Sequence, residues 1–501
     1  MQHAWDEEVD LAVIGFGAAG AATAITASRL GASVLLAEKQ PEQAHTPNTR
    51  MSRGIVMAVN DVDKATEYLA VCAGGMVPEA PLRALAEKAA GVIGWLAEAC
   101  PDLPYSRVRG AEHPDFPGAD GIDAYQPGIA KFMRDPRGLT GRDLYAHLKL
   151  AVGRTTARIA WEAPARRLIR EPQGPVLGVE LETPAGTRKV RTRHGVVLTC
   201  GGFEYDEQAK INYLRAYPMY FYGNPGNTGD GLRMAQEAGA DLWHMNQIVG
   251  RAIGHFTLES GVSMGFQLGI DSTAMGFHQA PSGFIITDRF GKRFANENVQ
   301  ALLMHNFYFD LLQFDPQRGV YPRIPCYWFF DERRRISGPL SSPFVGANSV
   351  GLYDWSQDNL REVESGWILS GGSIAEVAAK AGLDDPRAVE RTVAEYNAAC
   401  AAGRPDAFGR PPESLVPLDS PPFYCVTLWP GGSNTTGGPR RDEQARVVDA
   451  LGNPIEGLFA AGELGQVSGL LYAADGANLC EALCFGQIAA ATAVARRNSA
   501  A

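Results

Sequence analysis

The sequence predicts an α/β fold, α+β overall, in which a Rossmann-like dinucleotide-binding domain carries an inserted substrate or capping domain. Three observations predict it. A βαβ unit with a glycine motif occupies residues 9–39, a strand and a helix of the same type close the chain, and the segment between them is aromatic and rich in proline. Such units build parallel sheets. Residues 1–239 and 355–501 are predicted to form the first domain, and 240–354 the second.

The first element is a buried strand, Leu11–Ile14, followed by Gly15, Gly17 and Gly20 in a GxGxxG motif. An Ala-rich helix and a second strand follow, and the second strand ends at Glu38. The first glycine permits a tight turn, the second lets the backbone approach a pyrophosphate, and the third lets the helix pack on the strand. The helix N-terminus offers N–H groups to the phosphates. Glu38 is placed to accept hydrogen bonds from a ribose, so the sequence predicts a bound dinucleotide.

The composition narrows the possible partners. The chain has 501 residues, of which 45% are hydrophobic and 20% charged, and a formal net charge of -10. An acidic chain offers no basic face to nucleic acid. The acidic N-terminus lacks an apolar signal region, and we find no stretch of about 18 apolar residues that would predict a membrane-spanning helix. We therefore predict a cytoplasmic protein without a transmembrane segment. The eight cysteines show no zinc or iron–sulfur spacing, so no metal site is predicted.

A third strand of the sheet is predicted at residues 195–203, where the apolar sequence GVVLTCGGF ends in Gly201 and Gly202. The preceding stretch contains two turn signals and predicts antiparallel strands. An antiparallel insert of this kind covers the adenine half of a dinucleotide, which places residues 163–165 near the adenine. We therefore include Ala165 among the candidate cofactor-binding residues.

The remaining segments complete the two domains. From Met219 to about Tyr353 the sequence is aromatic and irregular, which predicts the inserted domain. From Gly366 a helical pattern returns, and we assign it to the first domain. Close to the C-terminus two strands precede a helix, Asn478–Ala495. The N-terminus of that helix is expected to point at the cofactor, where its dipole stabilises negative charge.

Six motifs occur along the chain: GFGAAG, TCGGF, NPGNTGDG, DRFGKRFANE, NTTGGPRRD and GLFAAGELG. With Glu38 after the second strand, the chain resembles the flavoprotein family that includes fumarate reductase flavoprotein subunits, flavocytochrome c and 3-ketosteroid dehydrogenases. The resemblance covers nearly the whole chain. It implies FAD as the cofactor, a Rossmann-like FAD-binding domain built from both ends of the chain, and a mobile cap that holds substrate over the flavin.

The resemblance also implies which positions surround FAD. The ADP half is assigned to Gly15, Gly17, Ala18, Ala19, Gly20, Glu38 and Lys39. The flavin ring is expected to be bordered by Thr49, Arg50, Met51, Ser52 and Gly54. The rest of the cofactor shell is assigned to Ala165, Gly201, Gly202, Asp230, Gly462, Glu463, Asn478 and Leu479.

Three departures from the fumarate reductases concern the cations that hold a dicarboxylate. Asn434 replaces the histidine of their His-Thr-Met-Gly-Gly sequence, and residues 471–477 lack their arginine. The position that matches their proton-donating arginine is occupied by Ala301 in this sequence. A dicarboxylate needs bidentate cations to offset its desolvation, so fumarate and succinate are poor candidates. Asn434 is kept as a substrate-binding candidate.

Tyr472 resembles the tyrosine that precedes the final flavin helix in the steroid-dehydrogenase branch and helps polarise a substrate ketone. A backbone N–H near Gly476 is a second candidate donor. The tyrosine that acts as base in that branch would also fall at Ala301, so the base differs here. His305 and Tyr308 follow on a predicted helix and face nearly the same way, which makes them candidate proton acceptors. Tyr125 is a further candidate at the pocket entrance.

These residues suit the removal of two hydrogens from adjacent carbons next to a ketone. We expect an FAD-dependent dehydrogenase of a cyclic ketone, steroid-like or alicyclic, with a quinone-like external electron acceptor. The reverse reaction, an ene reductase acting on an enone or another activated double bond, uses the same residues and is the alternative. A flavoprotein whose FAD is structural is the alternative from a different class.

Overall fold

The structure is a computed structural model that describes residues 4–128, 141–172, 174–269, 283–299 and 304–495. The chain divides into two compact units. Unit 1 comprises Met1–Leu214, Gly223–Ile248 and Asn434–Ala501, and unit 2 comprises Arg215–Tyr222 and Val249–Ser433. Unit 1 is therefore assembled from both ends of the chain.

The described strands are numbered in chain order. They are β1 (Glu7–Ile14), β2 (Val34–Ala37), β3 (Val56–Val59), β4 (Tyr105–Gly110), β5 (Ile122–Pro127), β6 (Arg158–Ala160), β7 (Ala165–Arg170), β8 (Val176–Thr183), β9 (Gly186–Leu198), β10 (Tyr220–Phe221), β11 (Leu242–Trp243), β12 (Ile248–Thr257), β13 (Ser263–Phe266), β14 (Phe284–Thr287), β15 (Cys326–Asp331), β16 (Leu369–Gly371), β17 (Phe423–Thr435), β18 (Gly438–Pro439), β19 (Arg446–Val448) and β20 (Pro454–Ala460).

The main sheet of unit 1 has the strand order β19-β20-β9-β1-β2-β6, and β20 through β6 run parallel. β8 joins it by pairing antiparallel with β9, and β7 pairs with β8. β2 and the second half of β1, residues 11–14, are wholly apolar because a parallel strand is covered on both faces. This order confirms the Rossmann-like α/β fold class that the sequence predicted.

Two helices of unit 1 pack closely because their contact residues are small. We call Ala18–Arg29 the first helix and Ala477–Ala495 the C-terminal helix. Thr23 in the first helix donates to the carbonyl oxygen of Gly486, 3.1 Å away, and a Cβ on Gly486 would lie 2.6 Å from the carbonyl oxygen of Ala19. The two ends of the chain are thus joined beside the glycine motif.

The other elements of unit 1 include two small sheets, β3-β5-β4 and β11-β18. Its remaining helices are Asn48–Met51, Val62–Ala73, Glu79–Ala89, Val92–Ala99, Gly141–Gly153, Glu207–Tyr213 and Asp230–Glu237.

Unit 2 is built on a second sheet with the order β13-β12-β17-β15-β14, and β10 and β16 also pair with β17. Its core contains Phe329 of β15 and Val393 of a long helix. The helices are Met304–Leu311, Glu332–Ile336, Gly346–Val350, Leu360–Glu364, Ile374–Lys380 and Pro386–Ala402.

Unit 2 is larger than the predicted inserted domain, residues 240–354. The helical pattern after Gly366 was assigned to the first domain, whereas β16 and β17 pair inside the sheet of unit 2. The intervening helix Pro386–Ala402 buries Val389 and Tyr396 in the core of the same unit. A helical period shows that a helix exists but not which sheet it covers, and this explains the difference.

The C-terminal helix also departs from the expectation that no apolar run is long enough to cross a membrane. Among the described residues it is the one helix with that length and composition, and 72% of its most apolar window is buried inside the protein. Core helices of globular proteins have the same property. The burial and the contact with the first helix account for its apolar sequence.

Candidate active site

The glycine loop, Gly15–Gly20, is shaped by close contacts between backbone atoms. Gly15 has φ +102°, and a Cβ there would lie 2.5 Å from the carbonyl oxygen of Thr199. A Cβ on Gly20 would overlap the carbonyl oxygen of Gly15. Thr199 also donates through Oγ1 to the carbonyl oxygens of Ile14 and Gly15, 2.8 Å from each. The fold itself therefore requires glycine at both positions.

Gly17 differs, because the protein leaves room for a side chain there. The nearest atom to a Cβ at Gly17 would be Thr49 Oγ1, at the ordinary distance of 3.5 Å. The N-cap residue of the first helix, Gly17, has no side chain, and the first turn has no acid. A glycine that packing does not require, at the N-terminus of a helix, fits the approach of a pyrophosphate.

Glu38 is a buried hydrogen-bond acceptor at the end of β2. Its Oε2 accepts from the backbone N–H of Phe16 at 2.9 Å, and its Oε1 accepts from that of Gln40 at 2.8 Å. Burial would raise the pKa of Glu38, but hydrogen bonds from His45 and from these N–H groups outweigh burial and lower the pKa. The group is an ionised carboxylate, which suits it to bind ribose hydroxyls.

Two residues predicted to bind the cofactor form an ion pair with each other. Lys39 Nζ lies 2.5 Å from Asp230 Oδ2 and donates to Thr228 Oγ1 at 2.9 Å. The other oxygen of Asp230 accepts from Arg233 at 2.6 Å. Asp230 begins a helix, so its carboxylate also lies at a helix N-terminus. Both residues thus stabilise the segment after Gly226, and their role toward a cofactor stays a prediction.

The turn after β9 and the covering strands are also tightly packed. Gly201 has φ +75°, and a Cβ there would lie 2.7 Å from the side chain of Asn227. A Cβ on Gly202 would overlap Thr435 Oγ1. Ala165 begins β7 and is buried opposite Leu181. Gly201 and Gly202 therefore bring backbone close to the end of β9, whereas Ala165 lies across β8 from the start of β9.

The segment Asn48–Met51 is a short helix connected to the glycine loop. Thr49 Oγ1 accepts from the N–H of Ala18 at 2.8 Å. Arg50 donates to the carbonyl oxygen of His45 at 2.6 Å. In the following turn, Ser52 Oγ donates to the carbonyl oxygen of Thr49 at 2.8 Å and accepts from the N–H of Gly54 at 3.1 Å; Met51 is buried.

Glu463 follows Gly462, which has φ +80° and lies against Ala19. Asn48 Nδ2 donates to both carboxylate oxygens of Glu463, at 3.0 and 2.8 Å. Burial, then the charge of Glu204, raises the pKa of Glu463 well above its usual range. A carboxyl of raised pKa that is half-buried beside the glycine loop can donate as well as accept a hydrogen bond.

A row of amides links the N-terminus of the C-terminal helix to β17. Asn478 Nδ2 donates to Asn434 Oδ1, and Gln466 Nε2 donates to Asn478 Oδ1, both at 2.8 Å. Asn434 is fully buried. The structure thus shows Asn434, predicted to bind substrate, orienting Asn478 of the predicted cofactor shell. Leu479, the next predicted residue, is buried beside it.

Arg441 supports the turn that carries Glu463, and the sequence did not single it out as a site residue. It is fully buried and donates to the carbonyl oxygens of Ala460, Gly465 and Gly462 at 2.7, 2.8 and 3.1 Å. It also forms an ion pair with Glu481 of the C-terminal helix. Its signal in the sequence is only the pair of arginines after a double glycine.

Tyr472 and Gly476 form a hydrogen-bonded pair just before the C-terminal helix. The N–H of Gly476 donates to the hydroxyl oxygen of Tyr472 at 3.2 Å. Gly476 has φ +82°, and a Cβ there would overlap the carbonyl oxygen of Ile55. Because the phenol oxygen accepts this N–H, the phenol hydrogen serves as a donor. This arrangement suits the stabilisation of negative charge on a carbonyl oxygen.

The Tyr472 segment, residues 471–476, is held from two sides. Tyr68 donates from its hydroxyl to the carbonyl oxygen of Ala473 at 2.6 Å and accepts from the N–H of His113 at 3.1 Å. On the other side, Arg109 Nε donates to Asp475 at 2.6 Å. Burial raises the pKa of Tyr68, which keeps its hydroxyl neutral and a donor. No local sequence signal identified Tyr68.

Tyr125 lies near the same segment. It is half-buried on β5, opposite Val56 of β3. The neighbouring Met57 donates its N–H to the carbonyl oxygen of Gly476 at 3.2 Å. Tyr125 and Gly476 thus flank the same strand, and the place of Tyr125 at a pocket entrance stays a prediction.

The two predicted proton acceptors lie in unit 2, in or beside the helix Met304–Leu311. His305 Nε2 is 2.6 Å from Arg251 and accepts from it, because a guanidinium only donates. Tyr308 packs its ring against Gly250, and its buried hydroxyl has no partner among the described residues. Burial raises the pKa of Tyr308. Ala301, the position of the usual base, lies outside the described residues.

The parallel sheet, the glycine loop and the acid after β2 define a dinucleotide-binding class of protein. The chain belongs to the FAD binding domain family, whose model matches residues 10–479. The protein is therefore an FAD-dependent oxidoreductase. The free space at Gly17, the absence of an acid in the first turn of the first helix and the ionised Glu38 fit the ADP part of FAD, and Glu463 and Asn478 fit the remainder.

Three similar proteins have related names. The chain is 27% identical to a 3-oxosteroid 1-dehydrogenase of Mycolicibacterium smegmatis, over 98% of this chain and 99% of the relative. It is 28% identical to a 4-oxocyclohexanecarboxylate 2-dehydrogenase of Sinomonas cyclohexanicum, over 96% and 92%. A crystal structure of 3-ketosteroid delta1-dehydrogenase from Sterolibacterium denitrificans has the same fold, with a TM-score of 0.81, 22% identity and coverage of 98% and 100%.

Proposed function

We propose that the protein is an FAD-dependent dehydrogenase that introduces a C=C bond α,β to the ketone of a cyclic, apolar substrate, steroid-like or alicyclic. The observation that carries the proposal is the pairing of the Tyr472 hydroxyl with the Gly476 N–H at 3.2 Å. The two relatives, named for dehydrogenation of a 3-oxosteroid and of an oxocyclohexane acid, support a ring ketone.

Tyr472 and Gly476 polarise the ketone in this proposal. The Tyr472 hydroxyl donates to the ketone oxygen. The Gly476 N–H helps to stabilise the negative charge that develops on this oxygen, directly or through the phenol oxygen. Their hydrogen bonds strengthen as the oxygen becomes enolate-like, which acidifies the α C–H. FAD, when bound, supplies the acceptor for the β hydrogen as hydride.

His305 and Tyr308 are the two residues proposed as acceptors of the substrate α proton. The surroundings of each oppose that role, since the Nε2 of His305 accepts from Arg251 and burial disfavours the phenolate of Tyr308. His305→Ala and Tyr308→Phe test them separately. Loss of proton exchange at the substrate α carbon in one variant would identify it as the base.

An ene reductase is the alternative, because the same donors stabilise the enolate formed by hydride addition to an enone. An external quinone-like acceptor completes the dehydrogenase cycle and is part of the proposal. A structural FAD is the remaining alternative, in which neither a ketone nor an enone would react.

The test is a turnover assay with a soluble quinone and a panel of saturated ketones that holds steroids, plain cyclohexanones and cyclohexanones with a carboxylate. We expect product formation from at least one ring ketone and none from open-chain ketones of equal size. Reduction of enones alone would favour the ene reductase. No reaction of any ketone or enone would favour the alternative in which FAD has only a structural role.

A further inference from the structure

A continuous row of buried side chains lies behind the ribose-binding carboxylate. His45 Nε2 is 3.3 Å from Glu38 Oε2, and His45 Nδ1 is 2.5 Å from the hydroxyl oxygen of Tyr145. The three side chains are 7% (Glu38), 2% (His45) and 6% (Tyr145) exposed. None of the cofactor-binding motifs and none of the proposed chemistry explains His45 or Tyr145.

The hydrogen positions in this row follow from the chemistry of its ends. Burial raises the pKa of Tyr145, so its hydroxyl stays neutral and can either donate to His45 Nδ1 or accept from it. The ionised Glu38 only accepts, so His45 Nε2 carries a hydrogen and donates it to Glu38. In either case both ring nitrogens of His45 have a partner.

The ring of His45 is also held in place by its neighbours. Its centroid lies 5.9 Å from that of Phe16, 5.2 Å from Trp161 and 5.2 Å from Tyr145. Arg50 donates to its backbone carbonyl oxygen at 2.6 Å. Neither the ring nor the main chain of His45 can turn away from Glu38 without loss of these contacts.

Glu38 is thereby held in one orientation by three donors. Oε2 accepts from Phe16 and faces His45, and Oε1 accepts from Gln40. A carboxylate oriented in advance binds a diol without a further loss of rotamer freedom. The two N–H groups come from the main chain, whereas the His45 contact comes from a side chain that a substitution can remove.

We propose that His45, held by Tyr145, is a positioning residue that orients Glu38 and raises the affinity of the protein for the adenosine ribose of FAD. This role is independent of the substrate proposed above. It concerns retention of the cofactor, and it is measured without turnover.

The experiment is a dilution series of the holoenzyme, in which flavin fluorescence reports release of FAD. We expect His45→Leu to raise the dissociation constant about tenfold, as for a lost hydrogen bond to a charged group, and Tyr145→Phe about threefold. His147→Leu is the matched control, since this half-buried histidine lies on the same helix as Tyr145 and should leave the constant unchanged. An unchanged constant in His45→Leu would overturn the proposal.

A double-mutant cycle separates positioning from a purely structural role. If His45 acts through Glu38, the effect of His45→Leu disappears in a Glu38→Gln background. A full tenfold effect in that background would contradict the proposal. Should His45→Leu fail to fold, His45→Gln and His45→Asn replace it. The glutamine amide nitrogen can take the place of Nε2, so His45→Gln should keep the affinity for FAD. The shorter asparagine cannot reach Glu38, so His45→Asn should lose affinity. Equal loss in both would also contradict the proposal.

Discussion

The glycine loop and the Tyr472 segment both border the predicted FAD site of unit 1, and they depend on different kinds of contact. The shape of the loop is fixed by backbone atoms, since a Cβ on Gly15 or Gly20 would meet a carbonyl oxygen. The position of Tyr472 is fixed by side chains distant in sequence, Tyr68 and Arg109. Glycine therefore shows in the sequence where the loop backbone must pack closely, whereas the sequence does not show which distant side chains hold Tyr472.

The largest expected effect is at Gly20. Gly20→Ala places a Cβ on the carbonyl oxygen of Gly15, so we expect the variant to lose FAD and several kcal/mol of unfolding free energy.

Gly17→Ala has room within the protein and should keep the melting temperature of the apoprotein while losing FAD. Thermal unfolding with and without FAD measures both. Gly94→Ala is the control, because its Cβ would meet open space inside a helix. Equal destabilisation by Gly17→Ala would contradict the distinction drawn here.

Removal of the Tyr472 hydroxyl should abolish most activity without affecting the cofactor. We expect Tyr472→Phe to lower kcat about 100-fold, as for loss of one oxyanion donor, with unchanged FAD content. Steady-state kinetics and the flavin absorbance measure the two. Tyr125→Phe is the matched comparison and should change mainly KM.

Removal of the Tyr68 hydroxyl tests whether distant side chains hold the Tyr472 segment. Tyr68→Phe leaves the N–H of His113 without its acceptor and weakens the hold on Ala473. We expect kcat to fall about tenfold with little change in KM, and stability to fall by about 1–2 kcal/mol. A Tyr68→Phe, Tyr472→Phe double variant should be no slower than Tyr472→Phe alone. Additive losses would show that Tyr68 acts elsewhere.

The smallest effect concerns Glu204, next to the glycine pair of β9. Burial raises the pKa of Glu204 from 4.5 to about 7. The folded protein therefore binds more protons than the unfolded chain between these values, and its stability falls as pH rises through that window. Denaturant unfolding at several pH values should show this slope, and Glu204→Gln should reduce it. An identical slope in both proteins would contradict the assignment.

The sequence predicted the elements whose signals are local. The strand before Gly15, Glu38 at the end of β2 and the C-terminal helix all lie where expected, because apolar periodicity and glycine spacing reflect backbone geometry directly. FAD and the oxidoreductase class were implied by the resemblance to a flavoprotein family and are confirmed by the family match.

The parts that could not be predicted depend on contacts between distant segments. β17 pairs with β15 and β16 across long sequence separations, so unit 2 extends to Ser433. The hydrogen bond that Asn434 accepts from Asn478 also joins distant segments, and the role of Asn434 toward substrate stays a prediction. Arg441 and Tyr68 bind backbone carbonyl oxygens, and a sequence does not show which carbonyl a side chain will reach.

We propose that Tyr472 promotes the oxidation of a ring ketone. Anaerobic mixing of the holoenzyme with a saturated cyclic ketone from the panel tests it most directly, with the flavin absorbance followed in a single turnover. We expect rapid bleaching in the wild-type protein and bleaching about 100-fold slower in Tyr472→Phe at equal FAD content. Bleaching at the same rate in both proteins would contradict the assigned role of Tyr472, and no bleaching by any cyclic ketone would contradict the dehydrogenase itself.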